Sequence, residues 1–193
     1  MAFQETRNKI RSLEKYFLAK KDAGPRPDIP ARAIVENGLR CRVQSPDGKA
    51  IYTDMSASLG GSATANSPGW LSRAAIASCD ATLLAIRAAY LGIRLDSIEV
   101  TVGASSDGRG MILDEGILPG SSEIRVVFDV GSKSASAERV RELVDWVVTH
   151  SPVGCDISRA VDLKIEIAGD RREFGPARYG LNADRCLQLA VNS

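Results

Sequence analysis

Histidine is nearly absent from this sequence, and cysteine is sparse. The 193 residues include one histidine, His150, and four cysteines at positions 41, 79, 155 and 186, with no Cys-x-x-Cys pair. Zinc sites need several such ligands at short, regular spacings. We therefore expect no metal site and no resident cofactor.

A strong excess of either charge is also missing. The 25 lysines and arginines nearly balance the 24 aspartates and glutamates, whereas a nucleic-acid surface requires a clear basic excess. The N-terminus lacks the apolar segment of a signal peptide. The most apolar stretch, residues 74–91, is interrupted by Asp80 and Arg87, which favours a buried helix over a membrane span. We expect a cytoplasmic protein that binds neither nucleic acid nor membrane.

Hydrophobic periodicity predicts an α+β protein in which strands come in hairpins. The order is a helix, two strands, a long helix, two strands, a helix and a last strand. The predicted elements are a helix over 4–21, a strand pair within 32–54, a helix between Ser67 and Gly92, strands over 96–105 and 122–131, a helix after Ser136, and a strand over 160–169.

The long central helix has clear local signals at both ends. Ser67 is a good N-cap, Pro68 suits the first helical position, and Gly92 suits the C-terminal cap. Apolar residues cover nearly the whole circumference between them, and such a helix must be buried on all sides. Because a domain of this size cannot easily wrap the helix alone, we expect a second subunit to cover it.

Cys79 lies in the middle of this helix, next to Asp80. Six residues share its helical face, and most are apolar: Ser72, Ala75, Ile76, Thr82, Leu83 and Ile86. Burial on such a face disfavours the thiolate, so the helix alone predicts a buried, inert cysteine. A reactive thiol would need a cation from elsewhere in the fold. The candidates are Arg40 and Arg42, which project from the same face of one predicted strand.

Several stretches, taken in order, resemble the OsmC-like family of osmotically inducible and organic-hydroperoxide-resistance proteins. The first stretches are Gly60-Gly61, Ser67-Pro68 and the alanine-rich run from Ala74-Ala75 to Cys79. The loop SDGRG at 106–110 and the segment SPV at 151–153 resemble later family motifs. The resemblance covers roughly residues 32–168. It divides the chain into a helical extension with a Pro-rich linker (1–30), an OsmC-like domain (31–169) and a tail (170–193).

The resemblance implies an intertwined homodimer with two long helices packed between antiparallel sheets. It also implies that Cys79 attacks an organic hydroperoxide, becomes a sulfenic acid and is resolved by a second cysteine as a disulfide. An arginine near Cys79, Arg40 or Arg42, would stabilise the thiolate. An external thiol, dithiol or lipoyl group would then reduce the enzyme. Ile76, Leu83, Trp70 and Ser151 are the predicted lining of the substrate pocket.

Two residues depart from the family pattern. The second motif usually reads Cys-Pro-Val, but this chain has Ser151, and a hydroxyl cannot form a disulfide. Cys155, four residues later, could replace the missing cysteine if the loop brings it within reach of Cys79. The organic-hydroperoxide branch also carries a glutamate after the helix-opening proline, where this chain has Gly69.

These departures leave three alternatives. The first is a peroxidase that uses Cys79 and Cys155. The second is a one-cysteine enzyme recycled directly by a small thiol or a lipoyl group. The third is a non-catalytic dimer that binds a small apolar ligand at its interface. His150 is a further candidate partner for Cys79, although a histidine at a helix C-terminus is also favoured by the helix dipole.

Overall fold

The computed structural model describes residues 2–113, 116–159 and 161. The predicted strand over 160–169 and Cys186 lie outside the described residues. The chain divides into two compact units, Met1–Cys155 and Asp156–Ser193, and the side chains of the candidate site belong to the first.

The described elements confirm the predicted α+β class. They are helix α1 (Ala2–Ala19), strands β1 (Arg32–Asn37), β2 (Arg40–Gln44) and β3 (Ala50–Thr53), helix α2 (Pro68–Leu91), strands β4 (Ser97–Ser106) and β5 (Ser121–Gly131), and helices α3 (Ala137–His150) and α4 (Pro152–Ser158). The short helix α4 was not predicted. Pro152 stands at its first position, where the missing N–H has no intrahelical partner.

Strands β1, β2 and β3 form an antiparallel meander, where the sequence predicted only a strand pair. Both Gly-containing turns reverse the chain, since Gly38 and Gly48 adopt positive φ values of 57° and 85°. The sheet is poorly covered within one chain: Val35 is 67% and Ile51 48% exposed. Among the described elements, none makes more than slight contact with it.

Helix α2 begins and ends where its sequence predicts. The Ser67 hydroxyl accepts a hydrogen bond from the Trp70 N–H, and Gly92 closes the helix with φ of 76°. Ile76, Leu84 and Ala88 are buried on one face, and the core formed there includes Leu143 and Val147 of α3. The opposite face is exposed in one chain and carries Ala75, Ser78, Thr82, Ala85 and Ile86.

Strands β4 and β5 form the predicted antiparallel hairpin, paired from Ser97–Gly131 to Ser106–Ser121. In the SDGRG loop, the Asp107 carboxylate accepts the Arg109 N–H and pairs with the Arg109 guanidinium at 2.5 Å. These contacts hold the pKa of Asp107 at about 2. The loop motif therefore has a local structural explanation.

Helix α1 packs against the C-terminal half of α2. The Tyr90 hydroxyl donates to the Glu14 carboxylate at 2.5 Å, and the Arg11 guanidinium lies 4.2 Å from the Tyr90 ring centre. Part of the charged face of α1 therefore contacts α2.

Within the part of the chain that the structure describes, α2 is the one helix long and apolar enough to cross a membrane by length and composition. A central helix of a protein core passes the same test. Two charged residues, Asp80 and Arg87, interrupt the apolar sequence of α2, and one face of the helix packs on α3. We therefore interpret α2 as a core helix.

Candidate functional site

The site centres on Cys79 of α2 and Ser151 at the end of α3. Ser151 caps α3, with its N–H bonded to the Val147 carbonyl at 2.8 Å. Its hydroxyl donates to the Cys79 sulfur at an Oγ–Sγ distance of 3.6 Å, and Ser151 is only 2% exposed. The two motifs that the sequence paired therefore meet in the fold. A hydroxyl therefore lies against the thiol at the position where the family resemblance implies a second cysteine.

Cys155 is directed elsewhere in this structure. Its N–H bonds to the Ser151 carbonyl at 2.8 Å, and its thiol donates to the Thr149 carbonyl at 3.7 Å. These two contacts tie Cys155 of α4 to Ser151 and to the last turn of α3. A disulfide with Cys79 would require this thiol to leave the Thr149 carbonyl.

Cys79 lies at the border between the buried and exposed faces of α2, and its side chain is half-buried. Of the predicted pocket residues, Ile76 is buried and Leu83 packs against the core. Trp70 is 46% exposed and lines a groove of about 470 Å³ between α2 and β4. The groove wall is mainly alanine and valine, with Arg73, Ser78 and Thr101 as polar members.

Asp80, next to Cys79, is only 5% exposed, and its Oδ1 has no hydrogen-bond donor. Arg73 and Arg87 lie about two helical turns from Asp80, one on either side of it along α2. Within the described ranges, neither forms an ion pair with it; Arg87 stacks on the Trp146 ring at 4.3 Å instead. The His150 ring also stacks on Trp146, with the two ring centres 4.0 Å apart. His150 is thus placed by Trp146, and its Nδ1 faces the Trp146 carbonyl at 2.8 Å.

The two predicted cations lie on the N-terminal sheet, on the face that carries Tyr52. Arg42 pairs with Glu36 at 2.5 Å, which raises the pKa of Arg42, and it also contacts Gln44. Arg40 lies over the Tyr52 ring at 4.3 Å and donates to the Thr64 hydroxyl at 2.6 Å. Within one described chain, neither arginine is hydrogen-bonded to Cys79.

A buried carboxylate, Asp54, organises the loop that leads into α2. It accepts hydrogen bonds from the backbone N–H groups of Met55, Ser62 and Thr64 and from the Thr64 hydroxyl. The bonds from Thr64 are the main reason that the pKa of Asp54 falls to about 2. Asp54 is 2% exposed. Asp54 was not among the predicted site residues, because its only sequence signal is an acidic residue at a strand end, before a glycine-rich loop.

The glycine pair lets this loop close around Asp54. Gly60 has φ of 85°, and a Cβ on Gly61 would lie 2.0 Å from the Met55 carbonyl oxygen. No lysine follows the pair in P-loop spacing, so the sequence does not indicate a phosphate-binding loop. The second glycine allows the close approach of the loop to the Met55 backbone.

Gly61→Ala should destabilise the fold by about 1–3 kcal/mol, because the new methyl group forces the backbone apart. Urea unfolding would measure the change. Gly103→Ala is the matched control, since a Cβ on Gly103 would have nothing within 4 Å of it. Equal stability losses in the two variants would contradict this explanation of the loop.

Asp54 should make stability depend on pH in acid. Its pKa is lowered from 3.8 to about 2 in the folded chain, so the unfolded chain binds more protons between these values. The stabilisation is present above pH 3.8 and is lost as the pH falls towards 2. Asp54→Asn should therefore be less stable at neutral pH and lose less stability on acidification. Unfolding free energies measured from pH 2 to 7 would test this, and parallel curves for the two proteins would contradict it.

Among the residues in the described ranges, no group of three or more His, Cys, Asp or Glu side chains could hold a metal ion. The reactive groups that the described residues bring together at the site are the Cys79 thiol and the Ser151 hydroxyl.

Comparison with solved structures gives the same fold. The chain resembles an OsmC-like protein from Mycoplasma pneumoniae, at 16% identity and a TM-score of 0.59, over 69% of this chain and 89% of that one. It also resembles an organic hydroperoxide resistance protein OsmC from Legionella pneumophila, at 21% identity and a TM-score of 0.52, over 69% and 91% of the two chains.

A third structure, an organic hydroperoxide resistance protein from Elizabethkingia anophelis, matches at 20% identity and a TM-score of 0.51, over 72% of this chain and 93% of that one. No curated protein sequence matches the chain. The family described as OsmC-like protein matches residues 60–166, which include α2, the β4–β5 hairpin and the Cys79–Ser151 pair. The chain belongs to the OsmC-like protein family.

Proposed function

We propose that this protein is a thiol-dependent reductase of organic hydroperoxides, with Cys79 as the nucleophile. The observation that carries the proposal is the Cys79–Ser151 contact of 3.6 Å. It brings the helix cysteine to the second family motif, in a half-buried position. The Ser151 hydroxyl can donate to the sulfur and so favours the thiolate over the neutral thiol.

The first half-reaction oxidises Cys79. The thiolate attacks one oxygen of the hydroperoxide, so a sulfur–oxygen bond forms while the oxygen–oxygen bond breaks. The departing alkoxide takes up a proton and leaves as an alcohol. Cys79 is left as a sulfenic acid, oxidised by two electrons.

The second half-reaction restores the thiol. Because Ser151 cannot form a disulfide, an external thiol attacks the sulfenic sulfur, water leaves, and a mixed disulfide forms. A second thiol, or the other sulfur of a dithiol such as a lipoyl group, then releases Cys79. Cys155 could act as the internal attacking thiol only after its bond to the Thr149 carbonyl breaks. We therefore favour the one-cysteine route and keep the Cys79–Cys155 disulfide as its alternative.

The proposed enzyme is a homodimer. Two uncovered apolar surfaces support this: the N-terminal sheet, where Val35 and Ile51 are exposed, and the face of α2 that carries Thr82 and Ile86. An intertwined pair would lay the sheet of one copy over the helix of the other. Arg40 of one copy could then reach Cys79 of its partner and stabilise the thiolate. We place this enzyme in the cytoplasm, where thiol reductants are abundant.

Steady-state assays test the proposal. The protein should consume an alkyl hydroperoxide when supplied with dihydrolipoamide or a small monothiol as reductant. Cys155→Ser should leave this turnover unchanged if the one-cysteine route holds, and should abolish it if Cys155 resolves the sulfenic acid. Failure of the wild-type protein to consume hydroperoxide with either reductant would refute the proposed activity.

A second candidate function is non-catalytic binding of a small apolar ligand. The groove of about 470 Å³ beside α2, walled mainly by alanine and valine, favours it. Gly69, in place of the glutamate of the hydroperoxide branch, is consistent with lost catalysis. Native mass spectrometry of the purified protein would reveal a co-purified ligand under this alternative and an empty protein otherwise.

A further inference from the structure

The Arg40 guanidinium is held from two directions. The Arg40 Cζ lies over the Tyr52 ring, 4.3 Å from the ring centre, and the Arg40 Nη1 donates a hydrogen bond to the Thr64 hydroxyl at 2.6 Å. Arg42, two residues away on the same strand, is instead engaged by Glu36 and Gln44. Of the two arginines, Arg40 is therefore the one whose charge no carboxylate neutralises: among the described residues its one hydrogen bond goes to the neutral Thr64 hydroxyl.

The hydrogen bonds around Thr64 can run in only one direction. An arginine has no acceptor, so Nη1 must donate to the Thr64 oxygen. An ionised carboxylate has no donor, so the single hydroxyl hydrogen of Thr64 must point to the Asp54 Oδ2, which lies 2.8 Å away. The low pKa of Asp54, about 2, keeps it ionised at neutral pH.

Asp54 is itself fixed by backbone groups. The N–H of Met55 bonds to Oδ1 at 2.8 Å, and the N–H of Thr64 bonds to Oδ2 at 3.0 Å. The chain of contacts thus runs from a buried anion, through a hydroxyl with a defined orientation, to a half-buried cation. Such a series of contacts holds the Arg40 guanidinium in one orientation. The entropy cost of placing the guanidinium beside a reacting group is then lower.

We propose that Thr64 and Asp54 are positioning residues that orient Arg40 toward the reacting thiol. They would orient the arginine in this chain, which is the role that the family resemblance assigns to the glutamate of the hydroperoxide branch, where this chain has Gly69. The inference rests on the proposed function, since it assumes that Arg40 stabilises the Cys79 thiolate. Beyond the proposed function, the inference identifies the residues that orient Arg40.

The experiment measures the reactivity of the Cys79 thiol directly, without peroxide. Cys79 alkylation by iodoacetamide is followed against pH, and peptide mass spectrometry reads the Cys79 peptide alone. The variants are Arg40→Met, Thr64→Val and Thr64→Ser. Ser58→Ala is the control, because Ser58 lies in the same loop and its hydroxyl contacts Ser56.

Thr64→Val removes the hydroxyl but keeps the Thr64 backbone bond to Asp54. We expect it to raise the apparent pKa of the Cys79 thiol by about 1 pH unit, as Arg40→Met does, because the thiolate loses its oriented cation. Thr64→Ser should restore the wild-type profile, and Ser58→Ala should match it. If Thr64 had only a structural role, Thr64→Val would lower the free energy of unfolding but leave the pH profile of Cys79 alkylation in the folded protein unchanged.

The outcomes separate the two proposals. If Arg40→Met raises the thiol pKa and Thr64→Val does not, the positioning role is refuted while the proposed function stands. If neither variant moves the profile, Arg40 does not act on Cys79 and the positioning role is also refuted. If Arg40→Met and Thr64→Val raise the apparent pKa of the Cys79 thiol equally but the wild-type protein consumes no hydroperoxide, the positioning role holds and the peroxidase proposal fails.

Discussion

Replacing Cys79 with serine is expected to abolish hydroperoxide consumption, with a loss on the order of 10³-fold or more. A serine hydroxyl is far less nucleophilic than a thiolate and cannot carry the two-electron oxidation to a sulfenic acid. Because Cys79 is half-buried and differs from serine by one atom, the fold should persist. Peroxide loss in the presence of excess reductant measures the effect, and circular dichroism checks the fold.

Cys41→Ser is the matched control for this variant. Cys41 is also half-buried, but it lies on β2, opposite Thr53 of β3. Its replacement should leave turnover within about twofold of wild type, an effect below about 0.5 kcal/mol. If Cys79→Ser retained full turnover, another residue would have to be the nucleophile and the proposed mechanism would be wrong.

A second large effect is expected from Thr82→Glu at the centre of the exposed face of α2. If that face packs on a second copy, each dimer must bury two new carboxylates with no partner, which costs several kcal/mol. The variant should elute and scatter light as a single chain of 20.6 kDa, whereas wild type should have twice that mass. Its melting temperature should also fall.

Thr6→Glu provides the matched control for the oligomer, since it adds the same charge to an exposed position of α1. It should leave the mass and melting temperature unchanged. A dimer of normal stability in Thr82→Glu would show that this face of α2 is not the interface. A monomeric wild-type protein would contradict the intertwined arrangement altogether.

The sequence was most informative where local physics determines structure. Ser67, Pro68 and Gly92 place the ends of α2, because capping depends on a few adjacent residues. Alternation likewise predicted the β4–β5 hairpin. The approach of Cys79 to Ser151, 72 positions apart, was implied by the family resemblance and not by periodicity. Strand β3 was not predicted because residues 32–54 were interpreted as a single strand pair, although they contain two turns, at Gly38 and Gly48.

The surroundings of the arginines were beyond sequence reasoning for a different reason. Arg40 depends on Thr64, 24 residues later, and Thr64 depends on how the loop folds around Asp54. Neither contact has a periodic or capping signal. Asp80 is a similar case: its spacing from Arg73 and Arg87 is helical, but Arg87 turns toward the Trp146 ring on α3. Side chains with several possible partners are decided by tertiary packing.

The most direct test of the central claim is intact-mass analysis of the reduced protein after one equivalent of an organic hydroperoxide. The account predicts one added oxygen, mapped to Cys79, which disappears on addition of a thiol. A Cys79–Cys155 disulfide would contradict the one-cysteine route that the Ser151 contact supports. An unchanged mass, with Cys79 still a free thiol, would contradict the peroxidase proposal itself.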